Sequence, residues 1–202
     1  MERWATFDCY GTLVDWNAGI RAVVGDELLP RYHELEPQVE HDNPTLPYRG
    51  VLREVAARLG VADPDALPRS LPEWPVFPEV RESLEEARRR GWKLAILSNT
   101  DRDFIEASMS SIGVPFEFAI VASEIGSYKP AHKHWETFAG RTGAPRSAHA
   151  HVAASLYHDI APATELGLRT VWINRLGEEP EPKADVELHS LTGLGDALDS
   201  LA

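Results

Sequence analysis

The chain has 202 residues, 43% of them hydrophobic and 26% charged, with a formal net charge of −12 at pH 7. That length supports one good core plus a small helical appendage, and the composition excludes disordered and fibrous classes. The negative balance argues against nucleic acid or an anionic membrane as partner, and no stretch reaches the roughly 18 apolar residues of a membrane span.

The N-terminus runs directly into a strand, without the basic and long apolar regions of a signal peptide. The single cysteine, Cys9, forms no intrachain disulfide, so a cytoplasmic location is expected. The first strand, residues 4–7, ends on Asp8 and is followed by a Gly11-Thr12 turn. A carboxylate at the end of a first parallel strand sits where open α/β sheets expose their chemistry, and it can attack and leave as an ester. Cys9 should face the other way, as a small buried hydrophobe.

Residues 16–76 read as helices with joints at Pro30, Pro37, Pro44, Pro47, Pro64, Pro68, Pro72 and Pro75 and no convincing strand, hence a helical insertion. Its clearest helix is 48–59, where Val51, Leu52, Val55 and Leu59 form one stripe. Residues 71–78 are the expected return hinge. Residues 78–90 predict a helix with Val80, Leu84 and Ala87 on one face, ended by Gly91. Strand-like runs at 92–97, 118–122, 149–154 and 169–173 then alternate with helical patterns at 103–112, 131–140 and 162–166. Residues 178–183 are a solvated loop, and 186–188 suit a short edge strand. This alternation predicts an α/β fold: a Rossmann-like doubly wound parallel sheet with a small helical cap inserted after strand 1. The expected core is 1–15 with 77–202, and the cap is 16–76.

Polar residues follow four of the strands and should converge on one crevice. Asp8, Tyr10 and Thr12 come first. Ser98 and Asn99 offer a hydroxyl and an amide to substrate oxygens, while Thr100 or Asp101 can cap the next helix. Lys129, fixed by Pro130, would hold Asp8 ionised and bind the anionic part of a substrate. Asp159 could hold Lys129, orient water, or share a metal with Asp8. His158 beside it is a candidate base or hydrogen-bonding neighbour. Tyr10 reads as an aromatic wall. His132, His134, His149 and His151 show no ligand spacing with acidic residues, which argues against a zinc site.

The ordered set Asp8-x-Tyr10-Gly11-Thr12, Ser98-Asn99, Lys129-Pro130 and His158-Asp159 resembles the haloacid dehalogenase-like hydrolase superfamily. The Asp-x-Tyr form and the run Thr170-Val171-Trp172-Ile173-Asn174-Arg175 resemble its type II 2-haloacid dehalogenase branch. The resemblance implies that Asp8 displaces halide from C2 of a 2-haloacid, and that water then hydrolyses the ester. Lys129 would keep Asp8 charged, Thr12 and Ser98 would position carboxylates, and Asp159 would support the lysine and the water. Many related phosphatases carry an aspartate general acid where Tyr10 stands; halide leaves without a proton. The chain departs from the branch at Ala154 and Leu156, where serine and asparagine are usual, and at Trp135, where tyrosine is usual and an apolar substrate wall is expected instead. A halide-binding cap arginine cannot be assigned among Arg21, Arg31 and Arg49.

The preferred reading needs no cofactor. A magnesium-dependent phosphatase using Asp8, the Tyr10 carbonyl and Asp159 is the alternative, and a catalytically idle binding protein the third. The expected partner is a small anionic substrate, with a homodimer as an open option.

Overall fold

The computed structural model describes residues 2–202; Met1, the first residue of the expected core segment, lies outside the described residues. The apolar runs form β1 (Arg3–Phe7), β2 (Trp92–Ser98), β3 (Phe118–Val121), β4 (His149–Ala153) and β5 (Arg169–Ile173), and the expected edge strand is β6 (Val186–Leu188). All pair in parallel in one six-stranded sheet of order β3-β2-β1-β4-β5-β6. The chain steps outward from β1 to β2 on one side and returns to β4 on the other. The C-terminal ends of β1 and β4 therefore border the switch point, where an open parallel sheet leaves a crevice.

Alternation along β2 shows how two cores arise. Leu94 and Ile96 enter one apolar cluster with Phe7, Val152 and Val171, while Ala95 and Leu97 enter the other with Trp4 and Ile120. Helices α5 (Val80–Arg89), α6 (Arg102–Ile112) and α10 (Leu194–Ser200) cover the first face through residues such as Leu84, Ile105 and Leu198. The second face is covered by α8 (Lys133–Thr142), through Trp135 and Phe138, and by α9 (Ala161–Glu165), through Ala163. A short α7 (Ala122–Ile125) directly after β3, and a π turn over Leu156–Ile160, have no counterpart in the sequence reading.

Between β1 and α5 lie α1 (Trp16–Val24), α2 (Leu29–Asp42), α3 (Tyr48–Arg58) and α4 (Ala66–Ser70), with a 3₁₀ turn at Leu71–Glu73. Of the expected stripe, Val51, Leu52 and Val55 are fully buried in an apolar cluster continuous with the first sheet face, and Leu59, just past the end of α3, is half-buried against it. Pro37 corrects the sequence reading: it lies inside α2 rather than at a joint. Burial of Tyr32, Leu35 and Val39 on the same helix offsets the missing backbone hydrogen bond. Asp101 begins α6 but does not cap it with its side chain. Its carboxylate instead accepts the Tyr48 and Arg49 N–H groups, at 2.9 and 3.0 Å, and so caps α3.

Candidate active site

β1 delivers Asp8 to the sheet edge, where its N–H still donates to the Val152 carbonyl of β4 at 3.1 Å. The chain then turns sharply: the N–H groups of Thr12, Leu13 and Val14 all reach the Cys9 carbonyl. Gly11 takes φ of +90°, a conformation that favours glycine. The turn brings the Thr12 hydroxyl to Asp8 Oδ2 at 2.8 Å, and Thr12 Oγ1 in turn accepts the Ala154 N–H at 2.9 Å.

Lys129 closes the other side of Asp8. Its ammonium donates to Asp8 Oδ1 at 2.9 Å, Asp159 Oδ1 at 2.6 Å and the Leu97 carbonyl at 2.9 Å. A lysine ammonium has three N–H donors, and these contacts use all of them. Lys129 therefore holds two carboxylates and has no donor left for a substrate anion, which corrects half of the role read for it. Burial raises the Asp8 pKa; the Lys129 charge opposes this and the Asp159 charge adds to it. Burial works against the charged form of Lys129, yet Asp159 and Asp8 hold its pKa above the ordinary lysine value. Asp159 is also buried, but the Lys129 charge and the His151 hydrogen bond hold its carboxyl well below the usual range.

Behind Asp159 runs a hydrogen-bonded relay. His151 Nε2 donates to Asp159 Oδ1 at 2.9 Å, and its Nδ1 lies 2.9 Å from the Thr6 hydroxyl. Thr6 Oγ1 also lies 2.7 Å from His149 Nε2. Burial lowers the His149 pKa to about 3, which keeps that end of the relay neutral. Asp8, Lys129 and Asp159 form the floor of a cavity of about 770 Å³. Its walls include Tyr10, Phe77, Tyr48 and Arg175, and α2 supplies Glu36 from above.

Residues 3–167 match the family model described as haloacid dehalogenase-like hydrolase. The chain belongs to the haloacid dehalogenase-like hydrolases. It is 33% identical, over 97% of its length and 94% of the relative's, to (S)-2-haloacid dehalogenase of Pseudomonas sp. strain YL. Phosphoserine phosphatase of Thermus thermophilus is 30% identical over 58% of this chain and 49% of that protein. The fold superposes on the structure of L-2-haloacid dehalogenase from Xanthobacter autotrophicus with a TM-score of 0.87, at 17% identity and with both chains fully covered.

In this haloacid dehalogenase-like hydrolase the cavity brings together Asp8, Tyr10, Ser98, Asn99, Lys129, His158 and Asp159. Ser98 Oγ is buried without a partner, as suits a group awaiting substrate. Asn99 donates to the Lys129 carbonyl at 3.0 Å and accepts the Lys129 N–H at 2.7 Å, so it braces the lysine loop. Burial lowers the His158 pKa to about 4, too weak for a base near neutral pH. Thr12 stands behind Asp8 as a positioning residue. Trp135 is a correction: it packs edge-on to His151 on the second sheet face and does not line the cavity. Among the arginines, Arg21 reaches the cavity, whereas Arg31 pairs with Glu34 and Arg49 with Asp103 away from it.

Four groups escaped the sequence reading: His151, Arg175, Glu36 and Glu40. Arg175 lies at the cavity, stacked 3.6 Å over Phe77, with its Nε unpartnered. The motif Ile173-Asn174-Arg175 at the end of β5 was the available signal. The phosphatase alternative would place magnesium on Asp8 and Asp159; each of these carboxylates has one oxygen on the Lys129 ammonium, and Ile160 to Thr164 supply no further carboxylate.

Proposed function

We propose that this hydrolase acts as a 2-haloacid dehalogenase on a small anionic substrate, with Asp8 as nucleophile. An Asp8 oxygen bonds to C2 as the carbon–halogen bond breaks and its electron pair leaves with halide. Water then adds to Asp8 Cγ, and the ester C–O bond breaks. One water proton goes to the released 2-hydroxy acid and the other to solvent. Ser98 and Arg175 are the groups suited to the substrate carboxylate, and residues 16–76 serve as the cap that excludes bulk water.

The observation that carries this reading is Asp8 held between Lys129 and Thr12 with no acid two residues on. The Tyr10 hydroxyl is spent on Ser108 at 3.1 Å, and burial raises its pKa, so it is a poor proton donor for a leaving alcohol. A halide needs none. The similarity to (S)-2-haloacid dehalogenase over nearly the whole chain supports the same choice. A buried lone cysteine suits the expected cytoplasmic setting.

The test supplies each enantiomer of 2-chloropropionate, and separately p-nitrophenyl phosphate, with magnesium or with chelator. We expect chelator-resistant halide release from one enantiomer, lost in Asp8→Asn. Magnesium-dependent phosphate release without halide release would overturn the reading.

A further inference from the structure

Beside the floor, α2 and the π turn after β4 bring two carboxylates and an imidazole together. One ligand atom each from Glu36, Glu40 and His158 lies within 4.8 Å of the others; the glutamates stand one turn apart on α2, and His158 comes from the π turn. Both glutamates are almost fully buried. Buried carboxylates ordinarily find donors for both oxygens. Here each keeps one oxygen bare: Glu36 Oε2 and Glu40 Oε1 have no hydrogen-bond partner. The Tyr32 hydroxyl, fully buried among the same charges, is bare as well.

The other atom of every group is anchored. Tyr48 donates its hydroxyl to Glu36 Oε1 at 3.2 Å, and the Asn99 amide donates to Glu40 Oε2 at 3.3 Å. His158 Nδ1 lies 3.3 Å from the Ser155 hydroxyl, and its Nε2 stands 3.9 Å from Glu40 Oε2, the oxygen that Asn99 also reaches. One atom fixed by an outer partner and one left free is the arrangement by which proteins orient metal ligands. Neighbouring cations do not explain it: Lys129 spends its donors on the floor, and Arg21 pairs with Asp26.

We propose that Glu36, Glu40 and His158 bind a divalent cation of the zinc type, which clasps α2 to the loop after β4 over the cavity. Two carboxylate oxygens and a neutral imidazole suit zinc or a later first-row ion better than magnesium or calcium, which take oxygen ligands. The ion neutralises the paired carboxylates and ties the helical insertion to the sheet. This assignment is independent of the reaction given to Asp8.

The experiment titrates Zn²⁺ into the chelator-stripped full chain by calorimetry and follows the visible bands of Co²⁺ in parallel. We expect one Zn²⁺ per chain and a raised melting temperature. Glu40→Gln and His158→Gln should each weaken binding at least about tenfold, and Ser155→Ala should weaken it by about tenfold, the effect of removing an outer-shell partner. Asp8→Asn should still bind. Melting in chelator confirms that each variant folds; Glu40→Gln, which removes a buried charge, is expected to be the safest. Absence of binding at about 100 μM Zn²⁺ would overturn the proposal, as would binding unchanged in Glu40→Gln and His158→Gln or lost only in Asp8→Asn.

Discussion

His151 Nε2 lies 2.9 Å from Asp159 Oδ1, the same oxygen that receives the Lys129 ammonium at 2.6 Å. The histidine touches no substrate; it sets the position of the group that sets the lysine. His151→Leu should lower kcat by about tenfold with KM unchanged, the cost of one hydrogen bond to a charged group. Steady-state kinetics separate this from a packing role, which would lower the melting temperature and leave kcat alone.

Removing the ammonium leaves two buried carboxylates facing each other. Lys129→Met should lose at least about 10³-fold in rate, since Asp8 would then take up a proton, and about 3–5 kcal/mol of stability at pH 8. The stability loss should shrink at pH 5, where Asp8 and Asp159 can accept protons instead of repelling. Urea denaturation at both pH values checks it.

The pH profile follows from the proposed role of Asp8 as nucleophile, which requires its carboxylate form. Its pKa is raised by burial, against the pull of Lys129, so activity should fall as pH drops through a limb above the ordinary aspartate value of 3.8. Lys129 is held above its ordinary 10.5 by Asp159 and Asp8 despite its burial, so no loss from its deprotonation should occur below that pH. A kcat/KM profile measured from pH 4 to 10 should show the acid limb and no lysine limb.

Asp101 caps α3 from across the chain, with both carboxylate oxygens on backbone N–H groups. Asp101→Ala should cost about 1–2 kcal/mol in urea denaturation. Asp101→Asn, which keeps one acceptor oxygen, should cost less.

Gly19 packs flat under the Trp74 ring, where an added Cβ would lie 2.3 Å from ring atoms. Gly19→Ala should therefore destabilise by about 1–3 kcal/mol despite the better helix propensity of alanine, because Trp74 must shift. Differential scanning calorimetry, alongside Gly140→Ala at an open helical position, provides the comparison.

Asp8, Ser98, Lys129 and Asp159 are legible in the chain because each follows an apolar strand run, and parallel topology sends all such strand ends to one edge. The sheet itself is legible for the same reason: buried parallel strands read as continuous apolar runs of β-forming residues. The residues of α2 show the opposite case. Glu36 and Glu40 resemble the solvated face of a polar helix, and their burial depends on how α2 docks, which apolar periodicity within one helix does not specify. Trp135, Asp101 and His151 likewise owe their roles to partners distant in sequence: the second sheet face, the start of α3 and Asp159. The sequence alone located Asp8, Lys129 and the crevice at the strand ends, because local pattern encodes burial and strand ends. Only the tertiary structure decided what each polar group touches, because hydrogen-bond partners are chosen by packing between elements and leave no period in the chain.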